Sequence, residues 1–284
     1  TFSTFYVNSG SQREAWGDHE NGASCIYVGG DNNVVKDCYA GKTWTHGISL
    51  WGNGNRLENS IVEHANWMGE RFAVVWAPGD DNVIVRNTVR YSNRDGIELG
   101  NRGFGIKVAK RALVQYNHVH HCGYIVPDAG LIYANNQGRN PLANTEISYN
   151  VLHDFVVDHP GNVGIYLDNN SSGYTLHHNV IWNVVDGIRF RSSSNVYIYN
   201  NTIVDIVNSL NIKGQVQEGT AVVVKNNLMT SDVFFGTEKS HNQVIQVGDF
   251  ADHTGRDYSL KPNVAAINAG TNIDGITVDV VGAP

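Results

Sequence analysis

Four acidic residues in this 284-residue chain, Glu98, Asp128, Asp154 and Asp168, stand out as candidate catalytic groups. Near them in the pattern lie six candidates for substrate binding: His120, His153, Tyr166, Trp182, Arg189 and Arg191. Hydrolysis of a glycosidic bond uses two carboxyl groups, one protonated and one ionised. They stand about 5–5.5 Å apart for retention and about 6.5–9.5 Å apart for inversion. Aromatic rings can stack on sugar faces, and guanidinium groups can hold hydroxyls or a carboxylate. Asp128 and Asp154 fall in segments with Tyr124, Pro127 and Phe155 that could enclose a carboxyl. Burial would then keep one of them protonated. Glu98, expected on an open sheet face, would stay ionised as base or nucleophile. Elimination from a uronate is the alternative. It needs a Lys, Arg, His or Tyr base and a group that neutralises the carboxylate.

Such residues can meet only if the chain returns to the same place repeatedly, and the sequence contains a repeat. Its short form is apolar-x-x-Asn-x-apolar, seen in VIVRNTV, ALVQYNHV, TEISYNVL, YTLHHNVI, VYIYNNTI and VVVKNNLM. Aligned positions are Cys38, Ser60, Asn87, Asn117, Asn150, Asn179, Asn201 and Asn227, with a base period of 22 residues. A second element, Gly-apolar-x-apolar, follows most copies: HGISLWG, DGIELGN, AGLIYANN, VGIYLDNN and DGIRFRSS. Each unit holds two or three strands of three to five residues and cannot bury its own apolar face. Stacked units can. The fold class expected is all-β: a single-stranded right-handed parallel β-helix of about eight or more turns. The repeated Asn would form a hydrogen-bonded ladder through the corner of every turn. A β-propeller needs about 40–45 residues per blade, which the 22-residue steps do not supply.

Composition agrees. The chain has 34 Asn, 35 Val and 30 Gly but only 2 Met and 6 Pro. Valine favours strands, while Gly and Asn tolerate the left-handed backbone of tight turns. A net charge of −7 argues against a partner that is nucleic acid. No run is long and apolar enough for a membrane span. Three cysteines make neither a disulfide framework nor a zinc site. Residues 21–227 carry clear repeats, 1–20 read as an irregular first turn, and 228–284 as a capping segment folded over the C-terminal end. The first twenty residues carry no signal-peptide pattern, so an exported chain would begin after its signal. The chain also reads as the later part of a longer helix.

Strand alternation places x of Gly-apolar-x-apolar outside. That column reads Ser49, Glu98, Ile132, Tyr166, Arg189; two residues on, Trp51, Gly100, Ala134, Asp168, Arg191. Asn101, Asn135, Asn169 and Ser192 would form a second polar ladder. After the Asn corner come Glu63, Arg90, His120, His153 and Trp182, then His64, Tyr91, His121, Asp154 and Asn183. Two insertions, 122–130 and 155–164, the second with Asp158 and His159, should wall a groove beside Glu98, Tyr166, Asp168 and Arg189. Each candidate has a plain structural alternative. Asp168 and Arg191 form a surface ion pair, Glu98 is solvated, and His177 and His178 are structural. Trp44, Trp51, Trp67 and Trp76 divide between sugar platforms and edge packing.

The asparagine-turn repeats of residues 21–275 resemble the right-handed parallel β-helix repeat family of pectate-lyase-like polysaccharide enzymes. The stretches 164–183 and 186–205 and the tail DYSLKPNVAAINAGT carry the resemblance. It implies a secreted or periplasmic enzyme with a polysaccharide or oligosaccharide partner. Hydrolysis, with no cofactor, is slightly favoured over elimination. A non-catalytic carbohydrate-binding solenoid is the third reading. The DGIRFRSSSN segment is similar to one in chondroitinase-B-like lyases; on that alternative Asp186 would be a Ca ligand and Arg191 the basic residue. The NTD and GHG motifs of polygalacturonases are missing.

Overall fold

The computed structural model describes residues 24–69, 71–100, 108–135, 142–156, 161–207, 211–218, 220–232 and 234–276. The first twenty residues, Asp158, His159 and Asn101 lie outside that set.

The chain coils through three parallel sheets in turn. Sheet A has eight strands: Ser24–Val28, His46–Leu50, Ala73–Ala77, Asp95–Leu99, Ala129–Asn135, Asn162–Asp168, Asp186–Ser193 and Ile212–Val216. Sheets B and C have nine strands each, and every neighbouring pair in the three sheets is parallel. About seven turns separate the first and last strands of sheet A, close to the count expected. Among the described residues no helix is long and apolar enough to cross a membrane.

Period-2 alternation builds the core. In sheet A, Ile48, Val75, Ile97, Ile132, Ile165, Ile188 and Ile212 share one register and are buried in a single cluster. Sheet B adds Leu57, Ile84, Val114, Ile147, Leu176, Ile198 and Val224. The glycine near the start of five sheet A strands, Gly47, Gly96, Gly130, Gly164 and Gly187, is there because the backbone passes close to its neighbours. A Cβ on Gly187 would lie 2.4 Å from Ile203 Cγ2 and 2.6 Å from Asn211 O.

Sheets B and C meet at a two-residue corner. Its first residue is left-handed: Asp37, Asn59, Arg86, Tyr116, Tyr149, His178, Asn200 and Asn226 have φ between +47° and +59°. The second residue is the repeated one, and the ladder forms as expected. Asn117 N and Nδ2 donate to Asn150 Oδ1 (2.9 and 3.0 Å). The same pair of bonds links Asn150 to Asn179, Asn179 to Asn201 and Asn201 to Asn227. Ser60 and Cys38 continue it with single bonds, and Asn242 extends it one step beyond the repeat.

The coil also runs further than residue 227. Glu238–Ser240 joins sheet B and Gln243–Val244 joins sheet C. The following hairpin, Phe250–Asp252 with Asp257–Leu260, packs along the flank of sheet C, whereas folding over the open end was expected. There Phe250 clusters with Trp182, Val204 and Ile245. Asp205 holds the hairpin by accepting from His253 (3.0 Å) and Arg256 (3.0 Å).

Candidate functional site

The ten sequence candidates divide between two faces. Glu98, Tyr166, Asp168, Arg189 and Arg191 lie on sheet A, with Asp128 in the loop beside it. His120, His153 and Trp182 lie on the outer face of sheet C, with Asp154 at its corner. The groove expected to unite them is therefore split.

On sheet A the outward column is Ser49, Trp76, Glu98, Tyr133, Tyr166, Arg189 and Lys213. This corrects the expected register at one rung: Ile132 faces the core and Tyr133 faces out. The strand Ala129–Asn135 places Leu131 opposite Gly96, so the motif glycine is one residue early there. The same slip sets Asn135 opposite Asp168, so the second polar ladder does not form in the expected register. A different ladder, Asn33 to Asn55 to Asn82, runs along the corner between sheets A and B. Glu98 is buried, 2% exposed, and not on an open face.

Tyr166 is the centre of this face. The Arg189 guanidinium lies 5.3 Å from its ring centroid, and Arg191 acts on its hydroxyl from the open side. Burial, with the charges of Asp168 and Asp128, pushes the Tyr166 hydroxyl up to about 12 against the pull of Arg191. Asp168 accepts from Tyr133 Oη (2.8 Å), from Asn169 N (2.9 Å) and from Asn169 Nδ2 (3.0 Å), and sits 3.5 Å from Arg191 Nη1. Its oxygens are committed to orienting neighbours. Arg191 and Asp128 are exposed and form the open edge of the site.

The loop that carries Asp128 is fastened by residues the sequence did not single out for this role. Buried Arg94 donates to Asp128 O (3.1 Å), and Asp95 Oδ1 accepts from Gly130 N (2.9 Å). Gly161 lets the second insertion press on the first: a Cβ there would lie 2.4 Å from Asp128 N. Both insertions were legible as unusual, and Asp95 opens a copy of the repeated element; buried Arg94, 3.4 Å from Asp95, gave no periodic signal.

Asp186, the candidate Ca ligand of the elimination alternative, is fully buried, and Arg189 Nε donates to its Oδ2 (2.8 Å) while Lys213 lies 3.9 Å away. Two cations already neutralise it. Among the described residues no three His, Cys, Asp or Glu side chains converge as metal ligands. The described residues thus do not fit a calcium cage at Asp186.

On sheet C the remaining candidates form a packed stack. His153 lies between His120 (centroids 4.9 Å) and Trp182 (4.2 Å), near-parallel to both. Its Nδ1 is 2.7 Å from Asp154 and its Nε2 is 2.6 Å from His118. Trp182, expected to hold sugar, is instead covered by the C-terminal hairpin, with Tyr258 at 5.3 Å. Burial works against the charge of Asp154, yet hydrogen bonds from Asn183 and His153 hold its carboxyl below the usual range. That is the opposite of the raised value expected for a general acid. The tryptophans divide too: Trp76 is buried against His46 and Trp51, while Trp44 and Trp67 are exposed.

The model of the right-handed β-helix region matches residues 24–263. The chain belongs to that family. Among solved structures it is similar to pectate lyase Pel9A, with a TM-score of 0.59 and 16% identity over 90% of this chain and 65% of that one. It is also similar to the periplasmic alginate epimerase AlgG (TM-score 0.51, 14% identity, 75% and 50% covered). XylC, solved in complex with xylose, scores 0.53 at 14% identity, with 76% and 38% covered. No curated protein matches the chain. At these identities the likeness is one of fold, and the chain spans less than two thirds of each of these three proteins. The β-helix fold hosts several chemistries, so function rests on the site.

Proposed function

We propose that this β-helix protein acts on an acidic polysaccharide at the outer face of sheet A, outside the cell or in the periplasm, by β-elimination at a uronate. The observation that carries this reading is the buried Tyr166 with the Arg189 guanidinium over its ring and the exposed Arg191 at the open edge of the same face. Arg189 and Lys213 are engaged by Asp186, and the exposed Arg191 stands at the open edge, where a guanidinium can bind a uronate carboxylate. The names of two β-helix neighbours, a pectate lyase and an alginate epimerase, add weight.

In the proposed step Arg191 binds the uronate carboxylate and so acidifies C5–H. The Asp128 carboxylate, in place of the Lys, Arg, His or Tyr base expected from the sequence, takes that proton. Electrons of the broken C5–H bond form C4=C5, and the C4–O4 bond breaks. Tyr166, held protonated, donates its hydroxyl proton to O4, and the phenolate left behind is stabilised by Arg189 and Arg191. Asp128 then returns a proton through solvent. Paired-carboxylate hydrolysis fits less well: Asp168 is engaged by three donors and Arg191, and Asp154 is on another face and held ionised.

The test is to incubate the protein with polygalacturonate and alginate and to follow new reducing ends together with the ultraviolet absorbance of an unsaturated uronate. Both should rise together. Reducing ends without that absorbance would indicate hydrolysis, and binding without cleavage would indicate a non-catalytic solenoid.

A further inference from the structure

A groove of about 1140 Å³ lies away from the candidate residues of sheets A and C, on the outer face of sheet B. Its floor is made by residues two and four positions before the ladder asparagines: Gln115, His177, Tyr199 and Lys225 in one column, Glu146 and Tyr197 in the other. One wall is the segment Thr271–Ile276. It is fastened to the Asn226 corner by Asn226 Nδ2 donating to Thr271 O (2.7 Å) and Thr271 N donating to Asn226 Oδ1 (3.0 Å). The opposite wall is Leu142, Asn144, Gly173 and Asn195. From the Gln115 rung to the Ser240 rung is five steps, about 24 Å at the spacing of parallel strands.

The lining fits a sugar chain. Tyr197 and Tyr199 are half-buried, with ring centroids 6.0 Å apart, and offer apolar faces edged by hydroxyls. The hydrogen bond from His177 (3.0 Å), outweighing burial, together with those from Ser148 (2.7 Å) and Gln115 (2.7 Å), holds the Glu146 carboxyl at about 2. All three of these bonds go to Oε1. Oε2 has no hydrogen-bond partner among the described residues and is left to accept from ligand hydroxyls. The charge differs from that of sheet A. Lys225 is set against Glu146 and Asp274, so the lining carries no excess of cations to draw a polyanion.

We infer that this groove is a second carbohydrate-binding site, one that takes an extended neutral glycan chain. Tyr197 and Tyr199 stack on the sugar rings and Glu146 accepts from their hydroxyls. The site is separate from the sheet A chemistry and does not rest on it. A protein with both faces would hold a neutral polymer while processing an acidic one mixed with it.

Isothermal titration with cellohexaose, xylohexaose and mannohexaose tests this. At least one should bind the wild-type protein. Glu146→Gln and the double variant Tyr197→Ala/Tyr199→Ala should each weaken that binding about tenfold or more, the loss of one charged hydrogen bond or one stacking contact. Arg191→Ala, on the other face, should bind as wild type. If the tyrosine variant does not fold, Glu146→Gln decides. Three results would overturn the inference: no binding of any hexasaccharide at millimolar concentration, binding unchanged in the sheet B variants, or binding lost in Arg191→Ala.

Discussion

Replacing Asn150 with Leu should open the ladder at its middle. Asn150 Oδ1 accepts from Asn117 N (2.9 Å) and Asn117 Nδ2 (3.0 Å), and its Nδ2 donates to Val114 O (2.9 Å) and Asn179 Oδ1 (3.0 Å). All are buried. Leucine is close to asparagine in size but supplies none of these bonds. Asn117 Nδ2 keeps Ile84 O, and Asn179 Oδ1 keeps Asn150 N. The Asn117 backbone N–H is the group left stranded, at a cost of about 1–3 kcal/mol; weakening of the other three bonds brings the total to about 2–4 kcal/mol. Each turn contacts mainly its neighbours, so the damage should be local. Urea unfolding measures the total, and amide hydrogen exchange at Asn117 measures the local opening. Asn150→Asp separates the two halves of the interaction. Its carboxylate still accepts from Asn117, so that amide should stay protected, but it cannot donate to Val114 O or Asn179 and should still lose stability. A change below about 0.5 kcal/mol in Asn150→Leu, within the range of ordinary surface substitutions, with Asn117 still protected, would refute the account of the corner.

Tyr166→Phe, Arg191→Ala and Asp128→Asn should each lower kcat/KM on an acidic polysaccharide by about 10²-fold or more, with melting temperature nearly unchanged in the two exposed-edge variants; full activity in Tyr166→Phe would remove it as proton donor. The histidine stack should make the fold acid-sensitive. Burial, with the like charges of neighbouring imidazoles, pushes His120 down to about 3, and burial, only partly offset by Asp154, pushes His153 down to about 4, both from 6.5. The unfolded chain then binds protons that the folded chain refuses, so stability falls as pH drops from about 6.5 toward 4. His120→Phe should flatten the fall of melting temperature with pH, and an unaltered slope would count against the stack as its source. Gly187→Ala should destabilise by about 1–3 kcal/mol through overpacking against Ile203 and the Asn211 carbonyl, and thermal unfolding checks it.

What the sequence disclosed and what it withheld divide along one physical line. Ladder asparagines, left-handed corner residues and core isoleucines each answer to a local rule that repeats every turn. Eight ladder positions could therefore be read from Cys38 to Asn227, and the structure joins them all. Outward side chains obey no such rule. What they meet depends on insertions, on the tail and on exact register. A single extra residue before Ile132 exchanged an isoleucine for Tyr133 on the candidate face, and so supplied the hydroxyl that bonds Asp168. His153 and Trp182 were correctly aligned with one another, yet the hairpin at 250–260 covers Trp182 from more than sixty residues away, which no local pattern announces. The sheet B groove was hidden for the same reason. Gln115, Ser148, His177, Tyr199 and Lys225 could have been found by counting two residues back from each ladder position, but only the return of Thr271–Ile276 makes a groove of that column. In a solenoid, then, periodic sequence specifies the scaffold, and the aperiodic segments laid against it decide which of its three faces can do chemistry. Tests of function here are best aimed at residues such as Arg94, Gly161 and Asn226, where an aperiodic segment is fastened to the coil.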